Sequence, residues 1–425
     1  MCGKVVPVLH GPFGMTFFAR FVALFIFLMT SGLRGQGAPP ADPIGFATLN
    51  VPAGSQGLLA IHLVKPITFK GFVADVDGVN VEIAALLPAN LLGSVGSGFL
   101  SVRQGRNPGL TVDVDSFVGS SLTMKDNVNG LLRPGDQIDI RPHQTIAEVF
   151  NPDLANLFAA DLADEADTIF LWNPENQVPK GYFIDSAGDW LEIGNESAGD
   201  QSATLLPYPG AVIVNRRADT ELDFTNVGTV LEPAYERVIK VWPGRNLISA
   251  PFTSVERVDE WQLFSATSDF SLQGGPSAAK ADAFQLTYAN GTRSNFLYYR
   301  QSLGWRSVGV QGDAGSTPVD VTQAIDLHRY QSGGYLRIAG EPETVPGSQA
   351  LMSLRVAPVD EVEVSVRGGR LVWAAELGKR YQLQARKQGR KVWEDFGEMV
   401  TADGPTCEVP IEVEGSGLLR VIAVP

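Results

Sequence analysis

Two stretches of this chain read as copies of one another, and no other feature limits the fold so strongly. Val51-Pro-Ala-Gly-Ser-Gln-Gly-Leu-Leu-Ala-Ile-His-Leu63 aligns with Val241-Trp-Pro-Gly-Arg-Asn-Leu-Ile-Ser-Ala-Pro-Phe252 across a one-residue gap. Ala166-Asp-Thr-Ile-Phe-Leu171 aligns with Ala281-Asp-Ala-Phe-Gln-Leu286. In the same ungapped register, Trp190-Leu-Glu-Ile-Gly194 meets Trp305-Arg-Ser-Val-Gly309. Gly210-Ala-Val-Ile-Val214 is then matched to Gly334-Tyr-Leu-Arg-Ile338. Four matches in one order, at this length, predict tandem domains rather than solenoid turns. The expected modules are residues 41–235 and 238–345. The first is longer at one place, about residues 66–143, because Thr145-Ile-Ala-Glu-Val149 is matched to Ser254-Val-Glu-Arg-Val258. That extra segment reads as a small β domain inserted in a loop, leaving after Val64 and rejoining at Thr145 at neighbouring points.

The expected fold class is all-β. Glu361-Val-Glu-Val-Ser-Val-Arg367 and Tyr381-Gln-Leu-Gln-Ala385 alternate apolar and polar residues, which buries one face of a sheet. Asp77-Gly78, Asn129-Gly130 and Asn290-Gly291 are hairpin-type dipeptides. The main helix candidate starts at Thr145, whose partner Glu148 would complete a capping box. Val149, Phe150, Leu154, Leu157 and Phe158 would supply its apolar face, interrupted by Pro152. Residues 352–425 carry about seven short alternating runs, the pattern of an immunoglobulin- or fibronectin-like sandwich.

Residues 1–38 read as a secretory signal. Lys4, Arg20 and Arg34 accompany the apolar run Phe21–Met29, with small residues after it and no acid. Nine apolar residues are too few to span a bilayer core of about 30 Å. Met15 is a second candidate start, and no further membrane span is expected. Cys2 would leave with the signal, so Cys407 would remain alone, without a disulfide, at a core position of a strand. The formal charge is −14, which argues against nucleic acid as a partner. Asn195-Glu-Ser197 and Asn290-Gly-Thr292 are sequons that a bacterial chain would leave unused.

Three stretches resemble known families. Ala41-Asp-Pro-Ile-Gly-Phe46, Gly135-Asp-Gln-Ile-Asp-Ile-Arg-Pro-His-Gln-Thr145 and Tyr182-Phe183 with Trp190 resemble an uncharacterised family of exported β-rich proteins of Verrucomicrobia-type bacteria. The departure is Gln144, where that pattern would place an aromatic. Gly244-Arg-Asn-Leu-Ile-Ser-Ala-Pro-Phe252 with Gly334–Ile338 is similar to a G-x-N-L-I-S-x-P module of bacterial extracellular proteins. Residues 370–424, with Trp373, Gly378–Gln384, Trp393 and Arg420-Val421, resemble a sandwich module that often closes such chains. These resemblances imply an exported, β-rich surface protein and carry no catalytic residues with them.

Candidate chemistry is sparse. His62, His143 and His328 are far apart, and no H-E-x-x-H, C-x-x-C, G-x-S-x-G or phosphate-loop pattern occurs. His143 and Pro142 are expected to shape the junction back to the parent module. Asp75/Asp77 and Asp113/Asp115 place carboxylates two residues apart, a partial calcium set at most. Trp172, Trp190, Trp242, Trp261, Trp305, Trp373 and Trp393 could stack on sugars, but Trp190 and Trp305 are expected to fill equivalent cores. The sequence reading is therefore an exported, non-catalytic structural or adhesive protein of the envelope or matrix. It assigns no catalytic residue, metal or cofactor. Its expected partners are cell-surface polysaccharide or other envelope proteins. A polysaccharide-binding protein would instead show an exposed aromatic row, and a hydrolase a cleft with converging acids of raised pKa.

Overall fold

The computed structural model describes residues 44–150, 156–231, 236–250, 256–265, 268–320, 322–330, 333–339, 364–367, 370–375, 377–387, 394–410 and 416–424. The expected signal segment, Leu154, Ser254 and Trp393 lie outside them. The all-β expectation holds: the described elements are strands with a few short helical turns. None of those turns is long and apolar enough to cross a membrane.

The first body begins with β1 (Ile44–Val51) and β2 (Gln56–Ile61). The chain then enters β3 (Phe69–Asp77), β4 (Asn80–Ile83), β5 (Gly98–Gln104), β6 (Thr111–Val118), β7 (Ser121–Met124) and β8 (Gln137–Pro142). These six close into a barrel in the order β3-β4-β7-β6-β5-β8. Alternation fills it: Val81, Leu100, Val102, Leu122, Ile138 and Ile140 are wholly buried. Gly78, with φ +66°, makes the β3–β4 turn, as Asp77-Gly78 suggests. Asn129-Gly130 closes no hairpin between paired strands; the Asn129 side chain instead accepts the Gly78 N–H at 3.0 Å. The barrel's exit and return are tied together, since Arg141 donates to the Lys65 carbonyl at 2.9 Å and Lys65 pairs with Glu148 at 2.6 Å.

The return is α1 (Ile146–Val149), started by the Thr145/Glu148 capping box. It is a single turn, shorter than the expected helix, and Phe158 is 48% exposed rather than on an apolar helical face. There follow β9 (Thr168–Asn173), β10 (Val178–Ile184), β11 (Trp190–Glu192), β12 (Gly210–Asn215) and β13 (Leu222–Thr229). One sheet runs β11-β10-β9-β12-β2, and β1 pairs with β13 along its length. Leu59, Ile169, Trp190 and Val212 from the sheet meet Leu49, Val51 and Phe224 from the pair, closed by Ile146 and Phe150.

The second body contains β14 (Glu236–Val241), β15 (Gly244–Ser249), β16 (Glu256–Arg257), β17 (Ala283–Thr287), β18 (Leu297–Arg300), β19 (Gly304–Ser307), β20 (Pro318–Val319), β21 (Ala324–Arg329) and β22 (Gly334–Ala339). Its sheet runs β19-β18-β17-β21-β15, and β14 pairs with β22. Strand for strand, this is the order of the first body. Trp305 is buried in its core at the edge strand, as Trp190 is in the other.

A buried clamp recurs in both bodies. Asp167 pairs with Arg216 and accepts the Phe158 and Arg217 N–H groups at 2.9 and 2.6 Å. Asp282 pairs with Arg329 at 3.0 Å and accepts the Gln273 and Tyr330 N–H groups at 2.6 and 2.7 Å.

Two matches need correction. Gly210–Asn215 occupies the place of Ala324–Arg329, because β12 lies between β9 and β2 as β21 lies between β17 and β15. Gly334–Ala339 takes the place of β13, as the partner of the body's first strand. Both strands open with glycine before apolar residues, which misled the matching by one strand. Thr145 likewise corresponds to Arg257, whose N–H reaches Glu260 Oε2 at 2.7 Å as Thr145 reaches Glu148 Oε2 at 2.8 Å.

The two sheets meet on their outer faces, where Leu58, Ala60 and Ala211 contact Leu247 and Ala324. A Cβ at Gly57 would lie 2.0 Å from the Ala289 carbonyl oxygen, so the second body's loop needs glycine there. The barrel, inserted in the first body, docks on the second: the Val238 N–H donates to the Gly109 carbonyl at 3.0 Å, and Arg337 to Asn107 at 2.8 Å. Val238 therefore joins the barrel's buried cluster.

The C-terminal strands are β23 (Val364–Arg367), β24 (Arg370–Ala374), β25 (Arg380–Lys387), β26 (Glu394–Asp395), β27 (Val400–Thr401), β28 (Thr406–Pro410) and β29 (Ser416–Val424). They form a sheet β23-β24-β28 and a second sheet, β13-β1-β29-β25-β26 with β27 against β25. The second sheet includes β1 and β13, so it continues from the C-terminal strands into the first body. β1 serves two cores in turn, since its Phe46 face is apolar only in the first half, with Thr48 and Asn50 following on that face. Phe46 packs with Trp373, Tyr381 and Cys407, while Leu49 and Val51 point into the first body.

Candidate functional site

A cleft of about 610 Å³ opens where barrel, first body and second body meet. Strand alternation supplies its side chains. On β6, Val112 and Val114 face the barrel core, so Asp113 faces outward into the cleft. On β14, Ile239 and Val241 are core residues and Lys240 points the other way. On β9, Leu171 belongs to the core, which turns Trp172 toward the second body.

Asp113 Oδ1 lies 3.1 Å from His143 Nε2, and its Oδ2 lies 3.3 Å from Lys125 Nζ. Burial raises the Asp113 carboxyl, but His143 and then Lys125 outweigh it and hold the group below the usual range. Lys240 pairs with Asp126 and stands 4.8 Å from the Trp242 ring centroid. Burial pushes the Tyr182 and Tyr208 phenols up. Phe99 stacks on Tyr208 at 4.9 Å and meets the His143 ring at 5.3 Å.

The Gly244-Arg-Asn246 motif builds the cleft's edge. A Cβ at Gly244, where φ is +84°, would lie 2.5 Å from Gln177 Oε1 of the first body. The Arg245 guanidinium grips Asp326 in two bonds of 2.9 and 2.8 Å and lies 5.2 Å from the Trp172 ring centroid. Trp172 Nε1 donates to the Arg245 carbonyl at 2.8 Å. Asn246 holds the turn, accepting the Trp242 N–H and donating to the Trp242 carbonyl, each at 2.8 Å. The Gly244-Arg-Asn246 turn thus forms part of the seam between the two bodies.

Of the three histidines among the described residues, only His143 reaches the cleft. His62 is buried in the first body, where loss of hydration lowers its pKa to about 4. His328 is half exposed beside Asp326, at 3.1 Å. Asp75 and Asp77 lie on the β3 surface, and Asp115 is exposed past a register shift between Val114 and Ser116 that separates it from Asp113. Among the described residues, no three His, Cys, Asp or Glu side chains converge to hold a metal ion. Trp190, Trp261, Trp305 and Trp373 fill cores. Trp172 and Trp242, from different bodies, line the cleft, a pairing that is not the single-sheet row a polysaccharide binder was expected to show. Sequence reasoning missed Lys125, Asp126 and Lys240; the one signal was a lysine between core residues in Ile239-Lys-Val241.

No family model and no curated protein matches the chain. Among solved structures, a chain described as "Biofilm associated protein - BSP domain" aligns with 94% of this chain and 67% of its own length. Its identity is 10% and its TM-score 0.12, a likeness that carries no argument.

Proposed function

We propose that the protein is an exported, non-catalytic structural or adhesive component of the cell envelope or extracellular matrix, built from two copies of one β module. The observation that carries this reading is the way the parts are joined. The barrel is inserted in one body and bonded to the other, and β1 is shared between the first body and the C-terminal strands. Such joints make one stiff unit, suited to bearing load or presenting a surface, where linkers would leave the domains free to move. The equal strand orders and the repeated Asp–Arg clamp support duplication.

A hydrolase fits the cleft less well. Its acid would need a raised pKa, whereas Asp113 is held low by His143 and Lys125 beside it. The test is deletion of the gene in its host, with fractionation of the wild type and measurement of surface attachment and envelope integrity. Export together with loss of either property on deletion supports the reading. A cytoplasmic protein, or a deletion without effect on both, refutes it.

A further inference from the structure

We propose that the three-body cleft binds an uncharged oligosaccharide, with Trp172 and Trp242 as stacking surfaces and the ion pairs at Asp113 and Asp126 as hydroxyl-binding groups. This rests on the adhesive form of the proposed function. The volume of about 610 Å³ falls within the range of small-molecule sites.

Charge selects the class. Three carboxylates (Asp113, Asp126, Glu175) line the cleft with three ammonium groups (Lys125, Lys180, Lys240). An anion would face the carboxylates and a cation the lysines, so neither sign is favoured. A hydroxyl both donates and accepts, and neighbouring sugar hydroxyls suit a carboxylate fixed beside an ammonium group. The C–H faces of a pyranose are apolar and suit an indole.

The two indoles are held in advance. Arg245 lies over Trp172 and Lys240 over Trp242, and the Trp172 N–H is bonded to the Arg245 carbonyl. Both rings remain half-buried along the cleft. Fixed side chains lose little entropy on binding. Nor does the module fold require an aromatic at Trp172. In the ungapped register its counterpart in the second body is Thr287, so the ring belongs to the junction rather than to the shared core.

The test uses the purified full chain and calorimetric titration with neutral oligomers of glucose, xylose, mannose and galactose, an anionic polygalacturonate fragment and a cationic chitosan fragment. The expected result is binding of at least one neutral oligomer. Trp242→Ala and Lys125→Ala should each weaken it at least about tenfold. Tyr288→Ala, an exposed aromatic outside the cleft, should leave it unchanged. If Trp242→Ala does not fold, Lys125→Ala at the exposed rim carries the test. The inference is overturned if no neutral oligomer binds, if a charged oligomer binds more tightly, or if both cleft variants bind as wild type. Attachment lost on gene deletion but kept in a Trp242→Ala strain would overturn the cleft assignment and spare the adhesive role. Saccharide binding without any deletion phenotype would do the reverse.

Discussion

Replacement of Asp282 by alanine should destabilise the second body by about 3–5 kcal/mol, the usual loss when one partner of a buried ion pair is removed. Asp282 is 1% exposed and Arg329 8% exposed, so the guanidinium would lose its carboxylate with little water to replace it. The Gln273 and Tyr330 N–H groups would lose their acceptors in the same step. Against a domain stability of about 5–15 kcal/mol, this is a large fraction. Hydrogen exchange read by mass spectrometry would place the loss, since β17 and β21 should exchange faster while β9 and β12 keep their protection. Asp167→Ala should give the mirror result, with β9 and β12 released. Adding Arg329→Met to Asp282→Ala should recover part of the stability, because the uncompensated charge is then gone. A loss below about 1 kcal/mol in either body would refute the claim that the clamps hold the two folds.

Three further outcomes are expected. Trp190→Ala and Trp305→Ala should each cost about 3–5 kcal/mol in urea denaturation, because each empties a core; a loss under about 1 kcal/mol in either would remove the equivalence. His62 has a folded pKa of about 4, below its unfolded value of about 6.5, so the unfolded chain takes up the proton first. Stability from this group is complete above about pH 6.5 and declines as pH falls toward 4, by about 3 kcal/mol in all. His62→Gln should flatten that part of the pH–stability curve, and equal slopes in the two proteins would contradict the assignment. Cys407 is 6% exposed and its thiol is pushed up by burial and then by Asp403, so labelling by a thiol reagent should be slow in the native protein and fast in urea.

The all-β class was legible because side chains alternate with a period of two, and that period survives any arrangement of the strands. In β13, Leu222, Phe224 and Asn226 are buried while Asp223 and Thr225 are exposed. The Thr145/Glu148 capping box was legible for a similar reason, being local chemistry across three residues. Which strand matched which was less legible. Gly210–Val214 and Gly334–Ile338 have the same texture, and only hydrogen bonding separates the strand beside β9 from the strand beside β14. The join to the C-terminal strands was not legible either, because β1 gives Phe46 to one core and Leu49 and Val51 to another, and alternation counted along one chain segment does not reveal the second.

The cleft was illegible for a deeper reason. Asp113, Trp172 and Lys240 each sit on the outward face of a strand, where sequence reading expects solvent. Their environment is made by bodies that approach through contacts no motif announces. The closest of these are at Gly57 and Gly109, where a Cβ would lie 2.0 Å from a carbonyl oxygen of the second body. Once the outer faces meet, the outward residues become lining, and their charges must be matched across bodies. Lys240 of the second body accordingly answers Asp126 of the barrel. Within the barrel segment itself, His143 Nε2 lies 3.1 Å from Asp113 Oδ1. In a chain assembled this way the conspicuous tryptophans, Trp190 and Trp305, belong to the folds, while the cleft draws on residues that the outward alternation of single strands had assigned to water.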